Sequence, residues 1–255
     1  MQIDYSEPVS KCNYTIKCIP KDNNRQKVGI LKIDMFPKSI YSEGKDGFKN
    51  KQIYGLNDVA HSTFFFRITG NVQTGLGDYE ECYDEDLDMV FKHPHGLNVS
   101  GPCLKKYFKK LSLDLIFVTD IYKKALHIMN RLHDDYKYEK FVTNVNTSAE
   151  EAFSMGKGVC QDYAHILIAL FHQAGIPARY VTGLIIGEGE SHGWVEFLYE
   201  DKWYGIDPTN NKLVTDEYIK IGVGRDAKDC MINRGIMHGG GFHTQTIKVN
   251  VKEDI

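Results

Sequence analysis

Residues 158–185 read GVCQDYAHILIALFHQAGIPARYVTGLI, and this stretch predicts a helix that leads directly into a strand. Four apolar side chains recur at helical spacing and predict the buried face of the helix: Ala164, Leu167, Ile168 and Phe171. Gly175 and Pro177 mark its end, because glycine readily adopts the backbone conformation that follows a helix and proline cannot continue one. The next residues, ARYVTGLIIG (178–187), are rich in β-branched and aromatic types and predict the strand.

Cys160 lies at the predicted start of this helix, directly after Gly156-Lys157-Gly158. The first N–H groups of a helix have no partner within it, and the positive end of the helix dipole is there, so the position favours a cysteine thiolate. The same N–H groups suit the oxyanion of an acyl-transfer intermediate. A buried structural cysteine at a helix start is the alternative, and Cys160 alone does not decide between the two.

A predicted hairpin further along the chain brings a histidine and an aspartate together. If Glu200 and Asp201 form a two-residue loop, the register places Asp207 on the same face as His192, at a diagonal separation of about 7–8 Å. Taken separately, His192 fits a surface histidine at a strand end and Asp207, before a proline, fits a turn. Facing a thiol at a helix start, the two have the arrangement of a general base and the carboxylate that orients it. The pattern therefore predicts a Cys-His-Asp site.

Three segments resemble the transglutaminase-like superfamily, whose stand-alone bacterial members are described as cysteine proteases: GVCQDYAHILIALFHQAGIPARYVTGLI (158–185), SHGWVEF (191–197) and WYGIDPTNN (203–211). The spacings from Cys160 to His192 and from His192 to Asp207, 32 and 15 residues, are similar to that pattern. Further segments are similar to the C-terminal part and the N-terminal β domain of the same branch: GRDAKDCMINRGIMHGGG (224–241), RQKV (25–28) and DGFKN (46–50). The resemblance implies a papain-like α+β core with Cys160 as nucleophile, His192 as general base and Asp207 as the orienting residue.

The first hundred residues have the character of strands. Segments rich in β-branched and aromatic residues alternate with turn-forming stretches: YTIKCIP (14–20), VGILKIDMFP (28–37) and STFFFRITGNVQTG (62–75). Several short strands at this spacing predict an antiparallel β-sandwich. HPHGLNVSGP (93–102), with two prolines and two glycines, is the predicted linker to the rest of the chain.

The remaining residues predict helices followed by an antiparallel sheet. Residues 120–134 form an amphipathic pattern, and Ser148 with Glu151 has the pattern of a capping box. HTQTIKVNVKE (243–253) alternates and predicts a closing strand. We therefore expect an α+β protein, with an N-terminal β-sandwich over 1–104 and a papain-like, transglutaminase-like thiol-enzyme domain over 105–255.

The composition indicates an ordinary globular protein and excludes several classes of function. With 255 residues, 42% of them hydrophobic and 25% charged, the chain is long enough to bury a substantial core. A net charge of -3 gives no reason to expect nucleic acid or a membrane as partner. The N-terminus lacks the layout of a signal peptide, so a cytoplasmic location is expected. Six scattered cysteines do not suggest a disulfide framework, and we expect no metal and no organic cofactor.

The chemistry expected of such a site is acyl transfer through a Cys160 thioester, on a peptide, isopeptide or side-chain amide of a peptide or protein substrate. Hydrolysis is the first hypothesis, because the sequence does not indicate a site for an amine acceptor. A protein-glutamine amine transferase (transglutaminase) and a non-catalytic peptide-binding module are the alternatives. Trp194 is a candidate contact for substrate beside His192, Tyr138 a candidate cleft residue, and Glu188 and Glu190 the nearest acidic groups for an amine.

Overall fold

The structure, a computed structural model, describes residues 1–82 and 89–254 and has a mixed fold of helices and antiparallel sheets. Its helices are α1 (Pro102–Asp114), α2 (Ile121–Asp135), α3 (Ala149–Met155) and α4 (Cys160–Gln173). The strands before the helices are β1 (Gln2–Ile16), β2 (Lys27–Phe36), β3 (Tyr41–Lys45), β4 (Lys51–Asn57), β5 (His61–Gln73) and β6 (Tyr79–Glu81). Two short strands lie between helices, β7 (Lys137–Tyr138) and β8 (Lys157–Gly158). The strands after α4 are β9 (Ala178–Ile185), β10 (Gly187–Gly189), β11 (His192–Tyr199), β12 (Lys202–Asp207), β13 (Lys212–Leu213), β14 (Tyr218–Gly224), β15 (Asn233–Gly239), β16 (His243–Thr246) and β17 (Val249–Val251).

The N-terminal strands form one curled antiparallel sheet in the order β2-β5-β1-β4-β3, with β15 and β16 also paired to β1. The first residues of β1 pair with β5 and β16, whereas its last residues pair with β4 and β15. This change of partners along one long strand bends the sheet around its own core. The buried side chains of that core are Val9, Cys12, Tyr14, Ile16, Ile19, Ile53, Phe64 and Phe66.

The second sheet has the order β13-β12-β11-β9-β14, with β6 added beside β12. Helix α4 packs against β9 and β11 on one side and against α1, α2 and α3 on the other. The sequence predicts one buried face for this helix, but every residue from 162 to 171 is buried. Because other elements pack around α4, residues 162–171 have no face toward solvent, and for this reason the helix is buried on more than the one predicted face.

Helix boundaries in this half follow local signals in the sequence. The side chain of Asp120 accepts a hydrogen bond from the N–H of Lys123 and starts α2, which corresponds to the predicted helix 120–134. Ser148 and Glu151 form the predicted capping box at the start of α3. Gly156 follows α3 with φ of 71°, a left-handed conformation that glycine adopts without a Cβ clash.

Two segments differ from their predicted form. The predicted linker, 93–102, packs against the second half of the chain: the N–H of Leu97 donates to Asp226, and the Asn98 side chain donates to the Arg225 carbonyl. The predicted closing strand, 243–253, is two strands, β16 on the N-terminal sheet and β17 on the short β10 strand.

The division into 1–104 and 105–255 stays a prediction, and the chain crosses that line in both directions. Helix α1 spans it, β6 joins the second sheet, and β15 and β16 join the first. Within 1–82 and 89–254, no helix combines the length and the apolar character needed to cross a bilayer.

Candidate active site

Cys160 is the first residue of α4 and is partly exposed. The chain reaches it through Gly158, which pairs with Tyr138 in the parallel β7–β8 bridge. A Cβ at position 158 would lie 2.5 Å from the hydroxyl of Tyr136 and 2.4 Å from Oδ2 of Asp162. Glycine is therefore required for the close approach that sets the position of Cys160.

Asp162 fixes the first turn of α4 from inside the protein. Its Oδ2 accepts hydrogen bonds from the N–H of Val159 and the hydroxyl of Thr143, both at 2.7 Å. The carboxyl is fully buried, and burial raises its pKa, although the two hydrogen bonds oppose that shift. The backbone that carries Cys160 is thus held at its N-terminal side by a side chain from the same helix.

His192 is the first residue of β11 and pairs with Gly183 of β9. Its Nε2 lies 2.8 Å from Oδ2 of Asp207, and Cys160 lies close enough to the ring to raise its pKa. Because Asp207 takes Nε2, Nδ1 is the nitrogen left for the sulfur. Burial lowers the pKa of His192, but the interactions with Asp207 and Cys160 outweigh it and raise the pKa to about 9. The imidazolium form is therefore favoured at neutral pH.

Asp207 is completely buried and yet accepts five hydrogen bonds. The donors are Nε2 of His192, the N–H groups of Thr209 and Asn210, the side-chain amide of Asn210 and the hydroxyl of Tyr218. Burial raises the pKa of this carboxyl, but the bonds from His192, Tyr218 and Asn210 lower it by more, so the net shift is downward. The group stays an anion beside the histidine.

The structure confirms the hairpin register that the sequence predicts. Glu200 and Asp201 have φ of 48° and 57°, which a two-residue hairpin turn of type I′ requires. Tyr199 then pairs with Lys202, and the same register continues up to Val195 and Ile206. The pairing of β11 with β12 ends at Val195 and Ile206. The same register would place Thr209 opposite His192, but those two residues do not pair. Asp207 ends β12 and pairs with Lys212 of β13, and its side chain accepts the N–H groups of Thr209 and Asn210 in the turn between the two strands.

Trp194 lies behind the histidine and does not line the cleft. Its ring stacks on that of His192 at 6.3 Å and 27°, and meets the ring of Tyr218 edge-on at 5.3 Å. Only 1% of Trp194 is exposed, so the side chain packs in the core and is not available as a substrate contact. The side chain supports the histidine ring from inside the sheet.

Tyr138 is half exposed and lies near both Cys160 and Glu190. Burial raises the pKa of its hydroxyl, and the neighbouring negative charges of Cys160 and Glu190 raise it further. Glu188 accepts a hydrogen bond from the side chain of Asn250, in β17, at 3.1 Å, so this carboxylate already has a partner.

Behind the site, a buried ion cluster ties the N-terminal half to the second sheet. Glu196 is fully buried and forms ion pairs with Arg179 at 2.7 Å and with Lys220 at 2.8 Å. Burial raises the pKa of Glu196, but the charges of Lys220 and Arg179 lower it by more. Glu80, from β6, completes the cluster by contacting both cations. Glu196 lies on the same face of β11 as Trp194 and His192, so the cluster steadies the strand that carries the histidine.

The sequence missed two residues that determine the site's geometry, Asn210 and Tyr218. Asn210 had a signal: an aspartate at the start of a turn commonly accepts the N–H groups two and three residues on. Tyr218 had none, since its contact with Asp207 depends on how β14 packs across the sheet. The structure brings together Cys160, His192 and Asp207, the three residues that the sequence singled out.

Residues 115–208, which include all three site residues, match the model of the Transglutaminase-like superfamily. An uncharacterised protein of Mycobacterium leprae is 38% identical over 119 residues, which cover 43% of this chain and 42% of that protein. One of Mycobacterium tuberculosis is 32% identical over 127 residues, covering 44% and 40%. The chain thus spans about two-fifths of the length of these relatives.

The fold of the whole chain is similar to a crystal structure described as a "Putative Cysteine Protease" from Cytophaga hutchinsonii. The TM-score is 0.77 over 100% of this chain and 92% of that one, at 21% sequence identity. At that identity the likeness shows the fold, including the N-terminal sheet, and says nothing further about activity.

Proposed function

We propose that this protein is a thiol-dependent acyl-transfer enzyme that hydrolyses peptide, isopeptide or side-chain amide bonds through a Cys160 thioester. One observation carries the proposal: His192 is hydrogen-bonded to the buried carboxylate of Asp207 and lies beside Cys160, the first residue of α4. A non-catalytic peptide-binding module has no need of an anion with five donors behind a histidine that faces a thiol.

The raised pKa of His192 favours the imidazolium, and a cation beside the sulfur stabilises the thiolate form of Cys160 that attacks. The thiolate attacks the carbonyl carbon of the amide, and the N–H groups that begin α4 stabilise the resulting oxyanion. When the C–N bond breaks, the leaving nitrogen takes the proton of the imidazolium, which leaves a thioester and a neutral His192.

Water resolves the thioester by the reverse proton path. Neutral His192 removes one proton from water as the oxygen bonds to the thioester carbon. The C–S bond then breaks, releasing the carboxylic acid and restoring the thiolate beside the imidazolium. Asp207 does not exchange protons in either step; it holds the ring in place and stabilises its positive charge.

Hydrolysis is favoured over amine transfer by the surroundings of the site. Transamidation needs a group that keeps water from the thioester and a site that holds the amine. Trp194 is buried behind His192 and shields nothing, and Glu188 is engaged by Asn250. Glu190, the other acidic candidate from the sequence, lies near Tyr138.

The test is to incubate the protein with peptide, glutamine and isopeptide acyl probes, and to measure both the mass added to Cys160 and the free acid released. We expect an acyl adduct on Cys160, absent in Cys160→Ala and retained in Cys103→Ala, the matched change at an exposed thiol. An adduct found only on another cysteine would contradict the proposal.

A further inference from the structure

Residues 139–147 form a loop that is attached to the chain around Cys160. Four hydrogen bonds make the attachment: the N–H of Glu139 to the Gly158 carbonyl at 2.8 Å, the Lys157 ammonium to the Glu139 carboxylate at 2.7 Å, the Thr143 hydroxyl to Asp162 at 2.7 Å, and the Gln161 side chain to the Val145 carbonyl at 3.5 Å. These bonds reach residues on both sides of Cys160. The loop is therefore fixed relative to the sulfur.

This loop and the residue before it present apolar side chains to solvent. Tyr138 is 50% exposed, Val145 59% and Phe141 98%. Phe141 also has φ of +66°, a left-handed conformation that is unfavourable for a residue with a Cβ. A large apolar side chain held outward in an unfavourable backbone costs stability, and such costs are retained mainly at functional sites.

We propose that Tyr138, Phe141 and Val145, which we call the apolar platform, bind an apolar side chain of the acyl group that Cys160 takes up. The inference rests on the proposed function and names its substrate class: amides with a large apolar residue on the carbonyl side of the scissile bond. Tyr138 makes the platform continuous with the site, because it pairs with Gly158 and lies in the field of Cys160.

The connections of the platform favour the acyl side over the leaving amine. The four hydrogen bonds that attach the loop all go to the segment that carries Cys160. The leaving nitrogen must instead lie at His192, which is on β11 and gives it a proton. The acyl group stays bonded to Cys160 after the amine has left, so a surface fixed to the cysteine segment contacts it throughout.

The experiment compares two activated esters, p-nitrophenyl acetate and p-nitrophenyl 3-phenylpropionate, by the rate at which each acylates Cys160. Burying a phenyl group on the platform is worth roughly tenfold or more in rate, after correction for reaction with a free thiol. We expect Phe141→Asn to abolish that preference, since asparagine tolerates the left-handed backbone and keeps the loop intact. Phe242→Asn is the matched control, because Phe242 is also exposed, at 90%, but lies beside Ser6 on the N-terminal sheet.

A second readout separates failure of the platform from failure of acyl transfer. N-phenethyl and N-methyl chloroacetamide alkylate a thiolate without any acyl step, and the same preference is expected for the phenethyl compound. If the esters acylate Cys160 without preference, or if Phe141→Asn keeps the preference, the platform is overturned and the proposed function stands. If alkylation shows the preference and neither ester acylates Cys160, the apolar platform stands and acyl transfer is overturned.

Discussion

Tyr218, on the edge strand β14, donates a hydrogen bond to Oδ2 of Asp207 at 2.7 Å, and this is the oxygen that His192 also contacts. The carboxylate is therefore held in place by two separate parts of the fold: the turn that follows β12, and β14, which lies three strands away from β12 in the sheet. An orienting group held in this way cannot rotate away from the histidine without breaking buried hydrogen bonds.

Tyr218→Phe should destabilise the protein while leaving the ring contacts with Trp194 in place. A hydrogen bond to a buried charged group contributes about 1.5–3 kcal/mol, and the free energy of unfolding should fall by that amount. Urea denaturation measures it. Tyr199→Phe is the control, because that hydroxyl bonds the carboxylate of Asp120 at a more exposed position and at 3.3 Å, so its loss should be smaller. Equal losses in the two variants would mean that the Tyr218 bond has no special role.

Cys160 should be the first of the six cysteines to react with iodoacetamide at pH 6, because it begins α4 and lies beside a histidine whose raised pKa favours the imidazolium. Peptide mass spectrometry identifies the labelled residue. Cys103 is the internal control: it is exposed, but a hydrogen bond to Glu150 raises the pKa of its thiol and keeps it protonated. Labelling of Cys103 before Cys160 would show that accessibility, and not thiolate character, governs the reaction.

The half of the fold that carries the candidate site was predictable because its signals are local. The helix start at Cys160, the stop at Gly175 and the two-residue turn at Glu200-Asp201 each depend on a few neighbouring residues, and the hairpin register follows by counting. The side chains behind the site were not predictable, since the Asp207–Tyr218 bond depends on strand order.

The N-terminal sheet was predicted less well for a physical reason. Strand β1 begins at Gln2, whereas the sequence predicts a strand from residue 14. Its first half contains charged residues and Pro8, and the pairing register shifts on both sides of Val9. An irregular strand with proline at a bulge gives no alternating pattern, so only its three-dimensional partners, β5 and β16, identify it.

The three site residues should differ in how much activity their loss removes. Cys160→Ala and His192→Ala should each abolish turnover, because nucleophile and base act as one unit. Asp207→Asn should cost roughly a hundredfold less, since it disturbs only the orientation and charge of the ring. The measurement is kcat/KM for all three with one acyl substrate. Near wild-type turnover in Cys160→Ala would overturn the covalent mechanism, and wild-type turnover in Asp207→Asn would overturn only the orienting role.

Activity should decline as the pH rises through about 9, the pKa of His192. The raised pKa means that the imidazolium is present below that value and is lost above it, and amide cleavage needs its proton for the leaving nitrogen. Alkylation of Cys160 needs no such proton and should not decline. In Asp207→Asn the decline should move to lower pH, because the carboxylate helps to raise the pKa. A profile that is flat to pH 10, or unmoved in Asp207→Asn, would contradict the assignment of His192 as the acid.

Water should outcompete amines for the thioester, because Trp194 and Glu188 are not placed to exclude it or to hold an amine. Trp194 is buried, Glu188 is bonded to Asn250, and Glu190 alone is a weak site for a lysine ammonium. An acyl substrate supplied with a millimolar lysine analogue should therefore give more free acid than amide, with amide rising only as the amine concentration increases. Chromatography of the products gives the ratio, and Cys160→Ala, which should form neither product, corrects for uncatalysed reaction. Amide in excess at low-millimolar amine would make the protein a transglutaminase in activity. The acceptor site would then have to include Glu190. Glu190→Gln would test that site, because it should lower the fraction of amide while acid formation continues.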